Sequence, residues 1–184
     1  YNFILNRLPE ADTPLAGAAL HHFATPGKMV RAKMALRAAN LLKIDITAAL
    51  HWAVAIEVLH NASLIHDDLC DGDQLRRDRP SVWSLSGQNV ALTLGDWLIA
   101  LAFELAAEAG QRSQTPLLVK ILAQHLATTT AGEAADFSTR ALFDWDNYLT
   151  IAADKTAPLF TAPLEGVAAN ASASIGRYFR SLGT

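Results

Sequence analysis

The 184-residue chain has 51% hydrophobic residues, 18% charged residues and a mean hydropathy of +0.17. This apolar balance excludes a disordered chain, and the length is enough for a single domain with a substantial core. The net charge of −3, without a basic face along the sequence, argues against nucleic-acid binding.

Helical periodicity dominates the sequence, with short Gly, Pro, Ser or Asp breaks between apolar stretches. In chain order it predicts helices over residues 28–42, 47–70, 87–109, 115–138, 145–160 and 163–182. Gly110 is predicted to end one helix, and Pro116 is expected early in the next. No segment alternates polar and apolar residues for long enough to predict a strand. We therefore predict an all-α fold, a bundle of long helices that forms a single domain over residues 1–184.

The longest apolar run covers residues 89–110 and is interrupted by Asp96 and Glu104. A membrane-spanning helix needs about 20 mostly apolar residues, so we expect a buried helix here and no transmembrane segment. The only cysteine, Cys70, excludes an internal disulfide and fits a reducing compartment. We therefore expect a cytoplasmic protein.

Aspartates crowd the end of the predicted helix 47–70, at Asp67, Asp68, Asp71 and Asp73. At roughly 100° per residue, the first three spread over about 100° of one helix face. Carboxylates at a helix C-terminus repel one another and the negative end of the helix dipole, and a bound cation offsets that repulsion. Oxygen ligands without a Cys or His cluster favour Mg²⁺ over Zn²⁺. The alternative is a solvated helix end with surface ion pairs.

Basic residues at two places are candidates for phosphate binding. Arg76 and Arg77 follow the aspartates, and guanidinium groups match phosphate oxygens in a bidentate geometry. Lys28 and Arg31 lie one turn apart at a predicted helix start, where backbone N–H groups favour anions. Lys28 and Arg31 taken alone are equally typical of solvated basic residues.

A third basic candidate is Lys155, which stands beside Thr156 in the segment ADKTAPLF, before an apolar run. The alternative is a lysine without a role in binding, whose aliphatic chain lies along an apolar surface and whose charged amino group is in solvent. The sequence has no Gly-rich phosphate loop, no nucleophile-elbow motif, no Cys–His pair and no zinc-ligand spacing.

Five segments, in order, resemble motifs of the trans-isoprenyl diphosphate synthases, the polyprenyl synthetase family. They are GKMVRAKM, IEVLHNASLIHDDLCDGDQLRRDRP, GQNVALTLGDWLIALAFEL, AGEAADF and YLTIAADKTAPLF. The resemblance implies a fold of the isoprenoid synthase type, with long helices around a central apolar cavity, usually in a homodimer. It also implies a Mg²⁺-dependent prenyltransferase that joins an allylic prenyl diphosphate to isopentenyl diphosphate and forms a longer trans-polyprenyl diphosphate.

The resemblance assigns a role to each candidate site residue. The metal ligands, which bridge Mg²⁺ to the allylic diphosphate, are Asp67, Asp68 and Asp71. The same diphosphate is held by Arg76, Lys155 and Thr156. Together with the three aspartates, Lys155 is expected to be catalytic. The diphosphate of isopentenyl diphosphate is held by Lys28, Arg31, His60 and Arg77.

Product length in this family depends on the residues about one turn before the aspartates. Ala62 and Ser63 are small, whereas bulky aromatic side chains at these positions would stop the growing tail early. We therefore expect a chain-length pocket with an open floor, and a product of geranylgeranyl length or longer.

The chain departs from the family pattern in several places. The second aspartate-rich motif would follow Thr184, so we expect the C-terminal helices to be lacking, and the activity of the 184-residue form is open. Asp78 stands where the family has Gly, and Asp136 stands where Gln is usual. Two alternatives remain: a class I terpene cyclase-like enzyme that ionises a prenyl diphosphate, and a non-catalytic subunit of a heteromeric synthase.

Overall fold

The computed structural model describes residues 1–138 and 145–182, with the backbone alone for residues 138 and 173–182. In this part of the chain the structure contains nine helices and one short β-hairpin, which confirms the all-α prediction. The chain forms two compact units. The first unit consists of Tyr1–Val30 and Glu57–Glu104, and the second of Arg31–Ile56 and Leu105–Thr184.

The helices are α1 (Asn2–Leu5), α2 (Ala16–Phe23), α3 (Val30–Leu41), α4 (Ile46–Asp71), α5 (Val82–Ser86), α6 (Gln88–Ser113), α7 (Leu117–Ser138), α8 (Trp145–Thr156) and α9 (Pro158–Leu182). The strands β1 (Leu75–Arg76) and β2 (Arg79–Pro80) pair antiparallel between α4 and α5. The sequence did not predict α1, α2 and α5, because helices of four to eight residues are too short to show a clear periodicity.

The structure corrects the predicted end of α6. This helix continues through Gly110 to Ser113, and Gln114 ends it in the left-handed conformation at φ 54°. The N–H of Thr115 donates to the carbonyl of Gly110 (2.8 Å), and the N–H of Gln114 donates to that of Gln111 (3.4 Å). These two bonds satisfy the carbonyls of Gly110 and Gln111 in the last turn of the helix. A glutamine therefore occupies the helix-ending position that the sequence pattern assigned to Gly110.

A second correction concerns the boundary between the last two helices, predicted between residues 160 and 163. The structure places this boundary at Ala157, because Pro158 occupies the first position of α9, where a missing N–H is tolerated. Pro163 lies inside α9 instead. Its carbonyl accepts a hydrogen bond of 3.2 Å from Nε1 of the fully buried Trp52.

Among the residues that the structure describes, two helices, α4 and α6, are long and apolar enough to cross a membrane when judged by length and composition alone. The most apolar 18-residue window is 78% buried inside the protein in α4 and 44% buried in α6. Such helices are weak evidence for a membrane, since the core helices of soluble proteins pass the same test. The absence of a transmembrane segment and the presence of a central apolar cavity both stay predictions.

Candidate functional site

The C-terminal turn of α4 carries the predicted aspartates. The Asp68 side chain is only 2% exposed, and both of its carboxylate oxygens accept hydrogen bonds from Nε of Arg76, at 2.7 and 2.8 Å. Asp67 is half-buried and Asp71 is exposed. Gly72, in the left-handed conformation at φ 74°, ends the helix, and the N–H of Asp73 donates to the carbonyl of Asp68 (2.9 Å).

The Asp68–Arg76 pair is a bidentate ion pair that is largely removed from solvent. The hydrogen bonds to Asp68 raise the pKa of the Arg76 guanidinium above its ordinary value, against the opposing effect of burial. The charges of Asp67 and Asp73 also raise the pKa of Arg76. Arg76 is therefore a permanent cation at the centre of the aspartate cluster.

The arrangement of the aspartates fits a magnesium ion through two of them. Mg²⁺ is usually bound by one or two carboxylates together with phosphate oxygens and water. Asp67 and Asp71 lie one turn apart on α4 and meet that requirement. Within residues 1–138 and 145–182, no three His, Cys, Asp or Glu side chains form a group that could hold a metal ion. Metal binding by all three aspartates, including Asp68, stays a prediction. In the structure Asp68 is paired with Arg76.

Arg77 and Asp78 form the two-residue turn of the β1–β2 hairpin, with φ of 55° and 62°. Positive φ at both turn residues is the requirement of a type I′ hairpin turn. Glycine is favoured in this conformation because it has no Cβ to clash, and aspartate tolerates it better than most other residues do. The backbone thus explains why glycine suits the position that Asp78 occupies.

Arg77 joins the hairpin to the segment between α2 and α3. Its Nη1 donates to the carbonyl of Thr25 (2.7 Å), and its guanidinium lies against Gly27, where an added Cβ would be 2.7 Å from Nη2. Lys28 follows directly and is exposed. Within the first unit, the structure therefore brings Arg77 to the segment that carries Lys28.

The predicted chain-length residues lie on α4, about one turn before the aspartates. Ala62 is fully buried, and Ser63 is half-buried, with its hydroxyl donating to the carbonyl of His60 (2.9 Å). The neighbouring Asn61 is buried and accepts a hydrogen bond from Nε2 of His22 (3.0 Å). Burial lowers the pKa of His22 to about 4 and so keeps this imidazole neutral near pH 7.

The second unit contains the remaining predicted site residues, Arg31, Lys155 and Thr156. Nζ of Lys155 forms ion pairs with Glu133 (2.9 Å) and Asp136 (3.1 Å), both on α7. Burial lowers the pKa of Lys155, but the hydrogen bonds and charges of the two carboxylates outweigh it, and the net pKa is raised.

The two other predicted residues of the second unit have different surroundings. Thr156 is exposed at the end of α8. The Arg31 guanidinium is half-buried and lies over the ring of Phe160, 4.3 Å from its centroid, at a distance suited to a cation–π interaction.

Sequence reasoning missed several residues that hold the predicted ones in place. Glu133 lies in the AGEAADF segment, and its spacing of three residues from Asp136 could have indicated a paired carboxylate site. The contact between His22 and Asn61 joins residues 39 positions apart, and no sequence pattern indicates it.

The chain matches the family model described as polyprenyl synthetase over residues 13–184. It is 36% identical over 141 residues to a (2E,6E)-farnesyl diphosphate synthase of Mycobacterium bovis, covering 76% of this chain and 39% of that protein. It is 36% identical over 151 residues to heptaprenyl diphosphate synthase component 2 of Geobacillus stearothermophilus, covering 81% of this chain and 46% of that protein. The chain thus spans less than half the length of these two relatives.

The structure is similar to that of a polyprenyl synthase from Caulobacter crescentus CB15, crystallised in complex with calcium and isoprenyl diphosphate. The TM-score is 0.84 at 32% sequence identity, over 93% of this chain and 52% of the other. The structural similarity covers 93% of this chain, and the family model matches the sequence over residues 13–184. The chain belongs to the polyprenyl synthetase family.

Proposed function

We propose that this chain is part of a prenyltransferase that condenses an allylic prenyl diphosphate with isopentenyl diphosphate in a Mg²⁺-dependent reaction. The observation that carries the proposal is the pair of carboxylates, Asp67 and Asp71, one turn apart beside the buried Asp68–Arg76 ion pair. The names of the two curated relatives and the calcium and isoprenyl diphosphate bound by the Caulobacter protein support it.

In this proposal Asp67 and Asp71 hold the metal ion, and Arg76 adds a fixed positive charge beside them. When bound, Mg²⁺ supplies positive charge that stabilises the departing pyrophosphate. Lys155 and Thr156 keep their predicted role of holding the allylic diphosphate. Preorganised cations of this kind stabilise charge that develops in the transition state.

The chemical step breaks the allylic carbon–oxygen bond, and its electron pair leaves with pyrophosphate. The alkene of isopentenyl diphosphate then donates its electron pair to the allylic cation. The resulting carbocation loses a proton to the released pyrophosphate, which forms the new double bond. In the proposal Lys28, Arg31, His60 and Arg77 keep their predicted role of holding the diphosphate of this second substrate. The predicted central apolar cavity excludes water that would capture the cation.

The proposal extends to the assembly and the location of the protein. We propose a homodimer in the cytoplasm. We also propose a product of geranylgeranyl length or longer, since Ala62 and Ser63 have small side chains about one turn before the aspartates. A second candidate is one subunit of a heteromeric synthase. It is favoured by the name of the Geobacillus relative, which is one component of a heptaprenyl diphosphate synthase.

The decisive experiment incubates the chain, and the product of its full open reading frame, with Mg²⁺, radiolabelled isopentenyl diphosphate and dimethylallyl, geranyl or farnesyl diphosphate. We expect labelled, elongated prenyl diphosphate. The double variant Asp67→Asn/Asp71→Asn should lose at least about 1000-fold in kcat, on the order of 4 kcal/mol of transition-state stabilisation. The matched control is Asp73→Asn, which removes a neighbouring charge that has no predicted role as a metal ligand.

The outcomes separate the alternatives. Pyrophosphate release without incorporation of label would favour the cyclase-like enzyme. Activity only after a second polypeptide is added would favour the heteromeric subunit. Full activity of the double variant would contradict the proposed function.

A further inference from the structure

Arg79 has no role in the site described so far, yet it binds the segment that carries Lys28. We propose that Arg79 and His21 form a clamp that positions the segment 25–28 for the diphosphate of isopentenyl diphosphate. This inference rests on the proposed function. Arg79 is a positioning residue in it, because it acts through Lys28 and Arg77 and not on the substrate.

The clamp consists of two hydrogen bonds from one guanidinium. Nη1 of Arg79 donates to Oγ1 of Thr25 (3.1 Å), and Nη2 donates to Nδ1 of His21 (3.1 Å). Thr25 is 54 residues from Arg79 in sequence and lies just after α2. His21 is 58 residues away and lies on the last turn of α2. One side chain of the hairpin therefore holds the chain where it leaves α2.

His21 is held at both ring nitrogens. Its Nε2 lies 2.7 Å from the carbonyl of Pro80, which can only accept, so Nε2 carries the proton. Nη2 of Arg79 can only donate, so Nδ1 offers its lone pair. The geometry thus requires the neutral Nε2–H tautomer of His21, which bridges two consecutive residues of β2.

The backbone beyond the clamp needs such support. Met29, just before α3, adopts a φ of 52°, a left-handed conformation that is strained for a residue with a Cβ. Conformations of this kind persist where the surrounding structure holds them. Arg77 contributes as well, through its hydrogen bond to the carbonyl of Thr25 and its contact with Gly27.

The exposure of the side chains around the clamp separates Arg79 from the residues proposed to bind substrate. A cavity of about 20 Å³, large enough for one water molecule, is lined by His21, Thr25, Arg77, Arg79 and neighbouring residues. Arg79 is half-buried and both of its Nη atoms bond within the clamp, whereas Lys28 and Arg77 are exposed. We therefore assign the substrate phosphate to Lys28 and Arg77.

The test compares steady-state kinetics of Arg79→Ala with those of Arg37→Ala, which removes an exposed arginine from α3. We expect Arg79→Ala to raise KM for isopentenyl diphosphate on the order of tenfold, because two hydrogen bonds from a charged group are lost. KM for the allylic diphosphate should change less than about twofold. Arg79→Lys, which keeps the charge but not the fork, should show an intermediate KM.

A double-mutant cycle isolates the pair. Thr25→Val removes one acceptor without a change in shape. If Arg79 acts through Thr25, this substitution should raise KM for isopentenyl diphosphate less in the Arg79→Ala variant than in the unsubstituted protein. Equal increases in KM for both substrates, or an unchanged KM for isopentenyl diphosphate, would overturn the inference.

Two measurements need no turnover and keep the clamp testable if the proposed function fails. Amide hydrogen exchange of residues 21–28 should accelerate in Arg79→Ala and not in Arg37→Ala. Nitrogen-15 NMR should find His21 as the Nε2–H tautomer in the unsubstituted protein. If the protein is inactive but shows both results, the proposed function is contradicted and the clamp is supported. Unchanged hydrogen exchange in Arg79→Ala, or an Nδ1–H tautomer of His21, would contradict the clamp itself.

Discussion

At the scale of single residues, the buried carboxylate of Asp68 depends on Arg76 for the compensation of its charge. The Asp68 side chain is 2% exposed and that of Arg76 is 27% exposed. Removing one partner of a buried ion pair costs about 3–5 kcal/mol, because the remaining charge has no compensation. Loss of either partner is therefore expected to destabilise the C-terminal turn of α4, and the pair holds the cationic charge beside Asp67.

His22 gives the stability of the protein a defined pH dependence. Burial lowers its pKa from 6.5 to about 4. Between these two values the unfolded chain binds the proton and the folded chain does not, so the free energy of unfolding decreases as the pH falls through this window. At about 1.36 kcal/mol for each pKa unit, the total loss is roughly 3 kcal/mol.

This dependence can be measured by urea unfolding at pH 7, 6, 5 and 4. We expect His22→Gln, which keeps an N–H group for Asn61, to remove most of the decrease between pH 6.5 and 4. The same slope in the variant and the unsubstituted protein would assign the effect to other groups.

At the scale of secondary-structure elements, the hairpin carries backbone strain that a substitution can relieve. Asp78 has a φ of 62° in the β1–β2 turn. A left-handed conformation costs a residue with a Cβ roughly 1 kcal/mol, so we expect Asp78→Gly to raise the free energy of unfolding by about that amount. Chemical denaturation measures it. Asp78→Asn, which removes the charge but keeps the Cβ, should have a smaller effect, and a destabilised glycine variant would contradict the argument.

The contact between α7 and α8 depends on Gly132. A Cβ at this position would lie 2.5 Å from the backbone nitrogen of Lys155, so the two helices would have to separate. We expect Gly132→Ala to destabilise the protein by about 1–3 kcal/mol and to displace Lys155 from Glu133. The control is Gly17→Ala in α2, where nothing lies within 4 Å of the added Cβ. This control should stabilise the protein by up to about 1 kcal/mol, and similar effects at both glycines would refute the packing argument.

At the scale of the whole molecule, the proposed function makes product length depend on the side chains one turn before the aspartates. Ser63 is half-buried on α4, one turn before Asp67. We expect Ser63→Phe to shorten the prenyl product by at least one isoprene unit, because the ring fills the path of the growing tail. Chromatography of the dephosphorylated products measures this length. Ser63→Ala is the size-matched control, and an unchanged product profile in the phenylalanine variant would contradict the role of this position.

Much of the fold could be predicted from the sequence, because the helices are long and apolar. α4 begins and ends within one residue of its predicted bounds, and α3, α6 and α7 were predicted at nearly their full lengths. The boundaries at Gly110 and Pro163 were wrong, because glutamine can adopt the left-handed conformation and proline can lie inside a helix. The short helices and the two-residue strands have too few residues to show a period.

The sequence by itself determined the helical class, the family and the residue types of the candidate site, because these follow from local periodicity and from motifs in a fixed order. The tertiary structure decided which charges meet. It paired Asp68 with Arg76, Lys155 with Glu133 and Asp136, and Arg79 with His21 and Thr25. Most of these contacts join side chains far apart in the chain, and the directions of side chains depend on the packing of helices and loops, which a one-dimensional pattern does not contain.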